Sequence, residues 1–324
     1  MNFSYFAKIT DTPMAFFVFL LILGVVFVNG FTDAPNSISG IISSGILSKR
    51  KACLLGGVCN FIGVAFSSLL GLRVAESVSS IASFGKYGTA GVCASLITVI
   101  VFGVGAWMLA MPSSESHALI SAVFGASLCL GKASSVGFFK IALSTLIISV
   151  LLIPTSLIFA RFLQKSDREY ARFEIYASVG SSFMHGLQDG QKLLTLLMLL
   201  VYGEADSSAP FAFIVIVGIF MMLGTVAGGG KIIDTLGNDI VINTEKIAFV
   251  SDFCATVCIF LCSLLGFPVS TGNIKACSLI GAGLGEKQNV NPNVVIKIAI
   301  TSIITFPICI LLGYFFAMIF FRII

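Results

Sequence analysis

The chain alternates between long apolar stretches and short polar or charged segments. A helix needs about 20 mainly apolar residues to cross the hydrocarbon core of a bilayer, and 324 residues leave room for many such helices. The pattern therefore predicts an all-α membrane protein, a polytopic helical bundle of about 10–12 transmembrane or re-entrant segments with broken helices. The apolar stretches fall at about 14–28, 53–72, 88–111, 118–130, 136–163, 193–202, 209–227, 247–267, 274–284 and 294–321.

The composition agrees with this class. Hydrophobic residues make up 57% of the chain and charged residues 10%, against roughly 25% charged residues in soluble domains. The net charge of +4 is spread over short loops without a basic, aromatic-rich stripe, so a nucleic-acid partner has no support. The nine cysteines form no C-x-x-C pair and no zinc-like spacing, and we interpret them as small packing residues.

Two polar signatures each occur twice in the chain. The Asp signature is found at 29–36 (NGFTDAPN) and, in a related form, at 185–192 (HGLQDGQK). The Ser signature is found at 112–118 (PSSESHA) and at 268–274 (PVSTGNI). In both cases the second copy follows 156 positions after the first. A shared offset for two unrelated signatures indicates a tandem duplication, the usual construction of secondary transporters.

The densest charge in the chain separates the two copies. It lies at residues 161–174, RFLQKSDREYARFE, which we interpret as an extramembrane hinge. The predicted organisation is a first membrane repeat at residues 1–160, a charged central hinge at 161–177 and a second membrane repeat at 178–324. Because inversion is the commoner arrangement of such repeats, we expect the two copies to have opposite orientations in the membrane.

The carboxylates within the Asp signatures are the first functional candidates. An ionisable group in the hydrocarbon layer is costly unless it faces a cavity or a partner, so Asp33 and Asp189 are candidate ligands of a coupling cation. Each copy contains a helix breaker, Pro35 or Gly190, and unwound backbone at membrane depth offers oxygen ligands to Na⁺. Helix capping at the membrane interface is the alternative for these two residues, and an interfacial location is the alternative for Asp252. The coupling-cation candidates are Asp33, Asn36, Asp189, Gln188 and Asp252.

The Ser signatures predict a different chemistry. Pro112 and Pro268 each follow a long apolar stretch, and the hydroxyl residues after them begin a new helix. A helix start presents unpaired N–H donors and the positive end of its dipole, which together bind an anion. Two such starts meeting at the midplane would enclose a small tetrahedral oxyanion, whereas plain N-capping is the alternative. The anion-binding candidates are Ser113, Ser114, Ser116, Ser270, Thr271, Gln191 and Lys192.

Three further titratable residues lie inside these signatures. His117 and His185 are candidates for proton or phosphate contacts because histidine titrates near neutrality, although a structural hydrogen-bonding role is the commoner one. Glu115 interrupts the first Ser signature. If ionised beside a bound anion, it would repel that anion by roughly a few kcal/mol, so we expect it to point away or to be protonated.

Together the four signatures resemble those of the inorganic phosphate transporter (PiT) family, in particular its bacterial branch. The resemblance extends over nearly the whole chain. It implies a duplicated, inverted-repeat helical fold, often a homodimer, that moves inorganic phosphate with Na⁺ or H⁺ across the cell inner (cytoplasmic) membrane. Some bacterial members are held to carry a metal–phosphate complex, and relatives carry sulfate.

The chain departs from the family pattern at several positions. Gln188 stands in place of an asparagine of the second Asp signature, and Asn60 and Asp252 stand where the family has glutamates. In the second Ser signature, Gly272 and Asn273 replace a Thr-His pair. The longer amide at 188 and the missing carboxylate at 60 leave the identity and stoichiometry of the coupling cation open.

The sequence therefore predicts an alternating-access symporter with no cofactor other than its coupling ion. Asp33, Asn36 and Asp189 would hold the cation, as Na⁺ ligands if the protein is Na⁺-coupled, and the helix starts would hold phosphate. Each charge offsets the other, so joint occupancy costs less than either alone. A sulfate permease of the same fold is the nearest alternative, followed by an anion channel. No catalytic motif is convincingly placed, so we predict that the protein is not an enzyme.

Overall fold

Helices account for nearly all of the residues described by the computed structural model, which are 9–67, 73–81, 84, 87–108, 114–163, 167–202, 209–228, 233 and 239–323. Within these ranges the chain forms twelve α-helices and no β-strand, as the apolar pattern predicted. A short 3₁₀ helix, Ala34–Ser37, follows the first of them. The α-helices are α1 (Pro13–Thr32), α2 (Ser39–Ser43), α3 (Lys49–Ser67), α4 (Arg73–Ile81), α5 (Gly88–Met108), α6 (Glu115–Cys129), α7 (Ser135–Phe162), α8 (Asp167–Tyr202), α9 (Phe211–Ala227), α10 (Glu245–Leu265), α11 (Thr271–Gly285) and α12 (Pro292–Ile323).

Several of these helices are long and apolar enough to cross a membrane. Outward-facing side chains such as Phe139, Leu143 and Leu311 are exposed on them, as expected of surfaces that face lipid. The prediction of a polytopic helical membrane protein is confirmed. By length and composition the candidate spans among the described residues are Pro13–Ser37, Gly88–Ala106, Ser135–Phe162, Glu245–Leu265 and Pro292–Arg322.

Helices at equivalent positions of the two predicted repeats correspond to each other, and each packs against a helix of the other repeat. Both ends of α6 and α11 differ by the 156-residue offset of the signatures. Helix α6 packs against α12 of the second half, and α11 packs against α7 of the first half. In the same way α3 packs against α8, and α9 packs against α1. The two halves are therefore interlocked, while their opposite orientation in the membrane stays a prediction.

A glycine marks the closest approach in two equivalent helix contacts. A Cβ at Gly125 of α6 would lie 2.2 Å from the carbonyl oxygen of Ile310 in α12. A Cβ at Gly281 of α11 would likewise lie 2.2 Å from the carbonyl oxygen of Ile153 in α7. A side chain at either position would force the helices apart. Glycines that are 156 positions apart therefore make equivalent helix contacts in the two halves.

The two Asp signatures differ in backbone conformation. Helix α1 ends at Thr32, and Asp33 lies between it and the 3₁₀ helix that contains Pro35, so the break predicted for the first copy is confirmed. The break predicted at Gly190 is wrong, because α8 runs without interruption from Asp167 to Tyr202. A Cβ at Gly190 would lie 3.1 Å from Val64 Cγ2 in α3. Gly190 therefore allows α3 to pack closely against α8, and it does not end α8.

The charged segment between the halves is partly buried. Helix α7 ends at Phe162, and α8 begins at Asp167, so the second part of the segment is helical. The side chains of Tyr170 and Glu174 are buried in the protein, so packing against other helices holds part of this segment, and its place outside the membrane stays a prediction. The division into repeats at 1–160 and 178–324 stays a prediction.

Helix α8 connects the two larger apolar clusters of the interior. Leu193 and Leu197 belong to a cluster with residues of α1, α5, α6, α9 and α12. Met184 and Leu187 belong to a second cluster with residues of α7, α10 and α11. Asp189 lies on α8 between these two pairs of apolar residues, so polar side chains meet where the apolar clusters adjoin.

Candidate cation and anion site

The aspartates of the two Asp signatures meet in the interior. A carboxylate oxygen of Asp33, one of Asp189 and a ring nitrogen of His185 all lie within 4.8 Å of one another. These side chains are buried, with relative exposures of 3%, 2% and 1%. Asp33 follows the end of α1, and Asp189 lies one turn after His185 on α8. Equivalent positions of the two halves therefore converge on one site.

Asp33 is contacted by its own signature and by the start of α11. Asn36 Nδ2 donates a hydrogen bond of 2.6 Å to Asp33 Oδ1, and Thr271 Oγ1 donates one of 3.4 Å to Asp33 Oδ2. A Cβ on the next residue, Gly272, would lie 2.9 Å from Asn36 Nδ2 and 3.2 Å from Asp33 Oδ1. The absence of a side chain at 272 lets the helix start come this close.

Lys192 joins the starts of α6 and α11. Its Nζ lies 2.5 Å from Asp189 Oδ1, one turn earlier on α8. The same ammonium donates to Ser116 Oγ at 2.6 Å in the first turn of α6, and to the carbonyl oxygen of Val269 at 3.0 Å. Val269 directly precedes Ser270, the N-cap of α11. The buried ammonium of Lys192 thus contacts both Ser signatures.

Asn29 links Asp189 to Glu115. Its Nδ2 donates to Asp189 Oδ2 at 3.0 Å and to Glu115 Oε2 at 2.9 Å. Thr32 Oγ1 lies 2.6 Å from Glu115 Oε1. Glu115 therefore faces the first Asp signature and does not point away from the site, so the other half of the expectation, that this carboxyl group is protonated when an anion is bound, stays a prediction. The hydroxyl and amide donors on α1 account for its direction.

We refer to Asn29, Asp33, Glu115, His185, Asp189 and Lys192 as the central cluster. Its described residues bring three carboxylates together with a single lysine. Removing an unpaired charge from water costs several kcal/mol even after local relaxation. The excess negative charge therefore favours a bound cation or bound protons at this place.

The hydrogen bonds of Asn60 determine which nitrogen of His185 carries a proton. Thr225 Oγ1 donates to the carbonyl oxygen of Met221 at 2.9 Å, so it accepts from Asn60 Nδ2 at 3.1 Å. Asn60 Oδ1 is then the acceptor for His185 Nδ1 at 2.9 Å. The other ring nitrogen, Nε2, lies 3.3 Å from Asp189 Oδ2. This contact brings the imidazole of His185 next to the carboxylate of Asp189 in the interior.

The hydroxyls of Ser114 and Ser270 cap their helices. Ser114 Oγ accepts from the backbone N–H of His117 at 3.2 Å, and Ser270 Oγ accepts from the N–H of Asn273 at 3.3 Å. Plain N-capping therefore holds for both serines, and the two starts are built alike. The neighbouring hydroxyls, of Ser116 and Thr271, are the ones that face the central cluster. Ser113 lies outside the described residues.

Gln188 and Gln191 point to other parts of the protein. Gln188 Nε2 donates to the carbonyl oxygen of Phe267 at 3.0 Å, which holds the segment before α11. Gln191 Oε1 accepts from the backbone N–H of Val74 in α4 at 3.3 Å. These described contacts secure neighbouring backbone and do not bring either amide into the central cluster.

His117 and Asp252 have surroundings of their own. The ring of His117 is fully buried and packs on Phe306, with ring centroids 4.7 Å apart. Asp252 of α10 forms an ion pair with Lys275 of α11, and both side chains are buried. Asp252 therefore lies paired inside the protein, and both an interfacial location and a role as a second ligand of the coupling cation stay predictions.

A small cavity borders the central cluster. The space at its centre is about that of one water molecule. His185 and Thr271 thus form part of a wall that is continuous with Lys275. The lining residues are Asn36, Ser37, Ser181, His185, Ala255, Ile259, Thr271 and Lys275.

Sequence reasoning did not assign roles to Asn29, Thr32 or Glu174. Asn29 and Thr32 lie within the first Asp signature, so their position was a usable signal. Glu174 gave no such signal, because it ends the charge-dense segment at 161–174. It is nevertheless fully buried.

Comparison with known proteins shows that most of the chain resembles phosphate transporters. A sequence model of the Phosphate transporter family matches residues 29–172 and 160–313. The chain is 29% identical over 305 residues to the probable low-affinity inorganic phosphate transporter of Bacillus subtilis, covering 89% of this chain and 91% of that protein. It is 28% identical over 321 residues to the protein of the same description from Rhizobium meliloti, covering 92% and 95%.

A solved structure shares the fold. The structure described as the sodium-dependent phosphate transporter superposes with a TM-score of 0.81 at 18% sequence identity. The match covers 97% of this chain and 100% of that chain. At this identity the similarity is one of architecture, and it agrees with the helical bundle described above.

Proposed function

The chain belongs to the Phosphate transporter family, and from this premise we propose that it is a secondary active transporter that moves inorganic phosphate together with Na⁺ or H⁺ by alternating access. Its relatives are transporters, so the chain is a multi-pass membrane protein and not an enzyme. We place it in the cell inner (cytoplasmic) membrane, where a homodimer is the expected assembly.

One observation carries this proposal. Asp33 and Asp189 come from equivalent positions of the two halves and lie with His185 in one buried group. Beside them, Lys192 contacts the first turn of α6 and the residue before the N-cap of α11. Acidic side chains and helix starts from both halves thus adjoin the same small region, and transporters built from two repeats commonly bind substrate and ion where the repeats meet.

The acidic side chains suit a coupling cation. Na⁺ prefers hard oxygen ligands, and the carboxylates of Asp33 and Asp189 with the amide oxygen of Asn36 are assigned to it here. Asn29 Oδ1 is buried and has no hydrogen-bond partner among the described residues, so it is a further oxygen donor at the same place. If H⁺ is the coupling ion, Asp33 and Asp189 take it as carboxylic acids.

The helix starts suit the anion. Ser116 and Thr271 direct hydroxyls toward the central cluster, and each lies in the first turn of its helix, where backbone N–H groups without an intrahelical partner can bind an anion. Lys192 contributes a positive charge that is shared between Asp189 and Ser116. Phosphate bound here would place its charge beside the coupling cation, which stabilises both ligands. In this proposal Ser114 and Ser270 act by capping the helices that present the site.

The test is uptake of radiolabelled phosphate into proteoliposomes containing the purified chain. We expect saturable uptake that an inward Na⁺ or proton gradient stimulates and that Asp33→Asn and Asp189→Asn each abolish. Asp11→Asn is the matched control, because Asp11 is exposed and precedes α1. Full uptake in both variants would remove the site assignment. Sulfate competition that equals phosphate competition at every pH would favour a sulfate permease, and flux that does not saturate would favour a channel.

A further inference from the structure

A second group of buried charges lies apart from the central cluster. Glu174 of α8, Asp252 of α10 and Lys275 of α11 have relative exposures of 0%, 0% and 2%. The three residues come from three different helices and meet beside α2. Neither carboxylate is part of the central cluster, and Glu174 is the last residue of the charge-dense segment that we interpret from the sequence as an extramembrane hinge.

The two carboxylates face each other across Gly40 of α2. A Cβ at Gly40 would lie 2.9 Å from Asp252 Oδ2 and 3.0 Å from Glu174 Oε1. Those two oxygens are therefore within about 6 Å of each other, the range in which one carboxylate disfavours ionisation of another. Glycine at position 40 leaves the space between them free of any side chain.

Hydrogen bonding in this group is incomplete. Lys275 Nζ donates to Asp252 Oδ1. Both oxygens of Glu174 and the second oxygen of Asp252 are buried without a hydrogen-bond partner among the described residues. A buried, ionised carboxylate with no donor is strongly disfavoured. The group lacks a donor at the place where the two carboxyl groups adjoin.

The charges of this group do not balance without a bound proton. Among the described residues, Asp252 and Lys275 are the charged groups that interact electrostatically with Glu174, and Gly40 of α2 places no side chain between the two carboxyl groups. Two carboxylates and one ammonium leave a single negative charge in a dry environment. One proton neutralises that charge and also supplies a donor, so that one carboxyl group can hydrogen-bond to the other. We propose that Glu174, Asp252 and Lys275 form a proton-binding site in which the two carboxyl groups share one proton.

Lys275 connects this site to the transport pathway. Its side chain lines the small cavity together with Thr271, Asn36 and His185. An anion bound at the start of α11, the helix that also carries Lys275, would compete with Asp252 for the ammonium, and Asp252 would then take up a second proton. On this basis, which rests on the proposed function, proton binding at the second site accompanies phosphate binding at the first.

The charge balance makes opposite predictions for three variants. In Glu174→Gln the remaining Asp252 is balanced by Lys275, and in Asp252→Asn the remaining Glu174 is balanced by it. Neither variant then needs a proton. In Lys275→Met two carboxyl groups remain without an ammonium, so the pair binds at least one proton. Glu169→Gln is the matched control on the same helix, because the side chain of Glu169 is exposed.

Infrared difference spectroscopy of the purified chain near neutral pH tests the site directly. We expect the carbonyl band of a buried protonated carboxyl group in the wild-type protein, its loss in Glu174→Gln and Asp252→Asn, and its retention in Lys275→Met and Glu169→Gln. If Glu174→Gln does not fold, the contrast between Asp252→Asn and Lys275→Met is sufficient. A band unchanged in the carboxyl variants, or lost in Lys275→Met, would overturn the proposal.

Transport separates this inference from the proposed function. We expect Glu174→Gln to lose the stimulation of phosphate uptake by an inward proton gradient while retaining phosphate–phosphate exchange. Wild-type uptake that ignores a proton gradient but follows Na⁺ would contradict the proton site's part in coupling and leave phosphate transport intact. A wild-type protein that takes up no phosphate under any gradient would contradict the proposed function, while the infrared measurement would still decide whether the proton site exists.

Discussion

Thr271 Oγ1 lies 3.4 Å from Asp33 Oδ2, although the residues belong to different halves of the chain. Thr271 is the first residue of α11, and Asp33 is the first residue after α1. One hydrogen bond therefore joins a proposed anion-binding helix start to a proposed cation ligand. This contact is where binding of the two ions would be coupled.

Replacing Thr271 by valine keeps the shape of the side chain and removes its hydroxyl. A hydrogen bond to a charged group contributes about 1.5–3 kcal/mol, and 1.4 kcal/mol corresponds to about tenfold in affinity. We therefore expect Thr271→Val to weaken the apparent affinities for phosphate and for the coupling cation by about tenfold each, measured as half-saturation of uptake. Thr155→Val, on an exposed face of α7, is the control. Unchanged values for both ions would show that the hydroxyl does not link them.

Removing the ammonium of Lys192 tests the connection between the two helix starts. Lys192→Met leaves Asp189 without its 2.5 Å partner, and breaking a buried ion pair in this way costs about 3–5 kcal/mol. Phosphate uptake should fall by at least about 100-fold, with a lower midpoint of thermal unfolding in detergent. Lys132→Met changes an exposed lysine and should leave both quantities near their wild-type values. Near-normal uptake by Lys192→Met would exclude this residue from the site.

Glu115 offers a test of the charge balance. Because Glu115 faces Asn29 and Thr32, its charge adds to those of Asp33 and Asp189 in attracting a cation. A unit charge a few ångströms away contributes roughly 1–4 kcal/mol in a partly solvated site. Glu115→Gln should therefore raise the half-saturating concentration of the coupling cation about tenfold, while phosphate affinity is retained or improved. Weaker phosphate binding with normal cation dependence would contradict this role.

Substitutions at Gly125 and Gly281 test whether the two halves of the chain pack equivalently. Alanine at Gly125 or Gly281 would meet a carbonyl oxygen of the facing helix at 2.2 Å, and overpacking of this kind costs about 1–3 kcal/mol. Both substitutions should lower the thermal unfolding midpoint by a similar amount. Gly103→Ala is the control, since nothing lies within 4 Å of a Cβ at that position. A loss confined to one of the two contacts would show that the halves are not packed equivalently.

The convergence of Asp33 and Asp189 was predictable because the repeat constrains the fold. Two copies of a signature at one offset take equivalent places in the two halves, and an aspartate in an apolar segment must face a polar interior. The same reasoning explains why Ser116 and Thr271 lie near these aspartates. Both features follow from position in the duplicated chain, without knowledge of individual contacts.

Other features depend on neighbours that a linear pattern does not show. Gly190 was read as a helix breaker, yet it accommodates Val64 on α3. The direction of Glu115 is set by Asn29 and Thr32, which reach it from another helix. Charge density gave no indication that Glu174 is buried, which depends on the space beside Gly40.

The central claim is that a cation and phosphate bind side by side at a site built by both halves. Calorimetric titration of purified protein with phosphate, at rising Na⁺ and separately across pH without Na⁺, tests it most directly. The account predicts that one of these cations tightens phosphate binding, that phosphate tightens binding of that cation by the same factor, and that Asp33→Asn and Asp189→Asn abolish the effect. Phosphate affinity that is indifferent both to Na⁺ and to pH in the wild-type protein would contradict it.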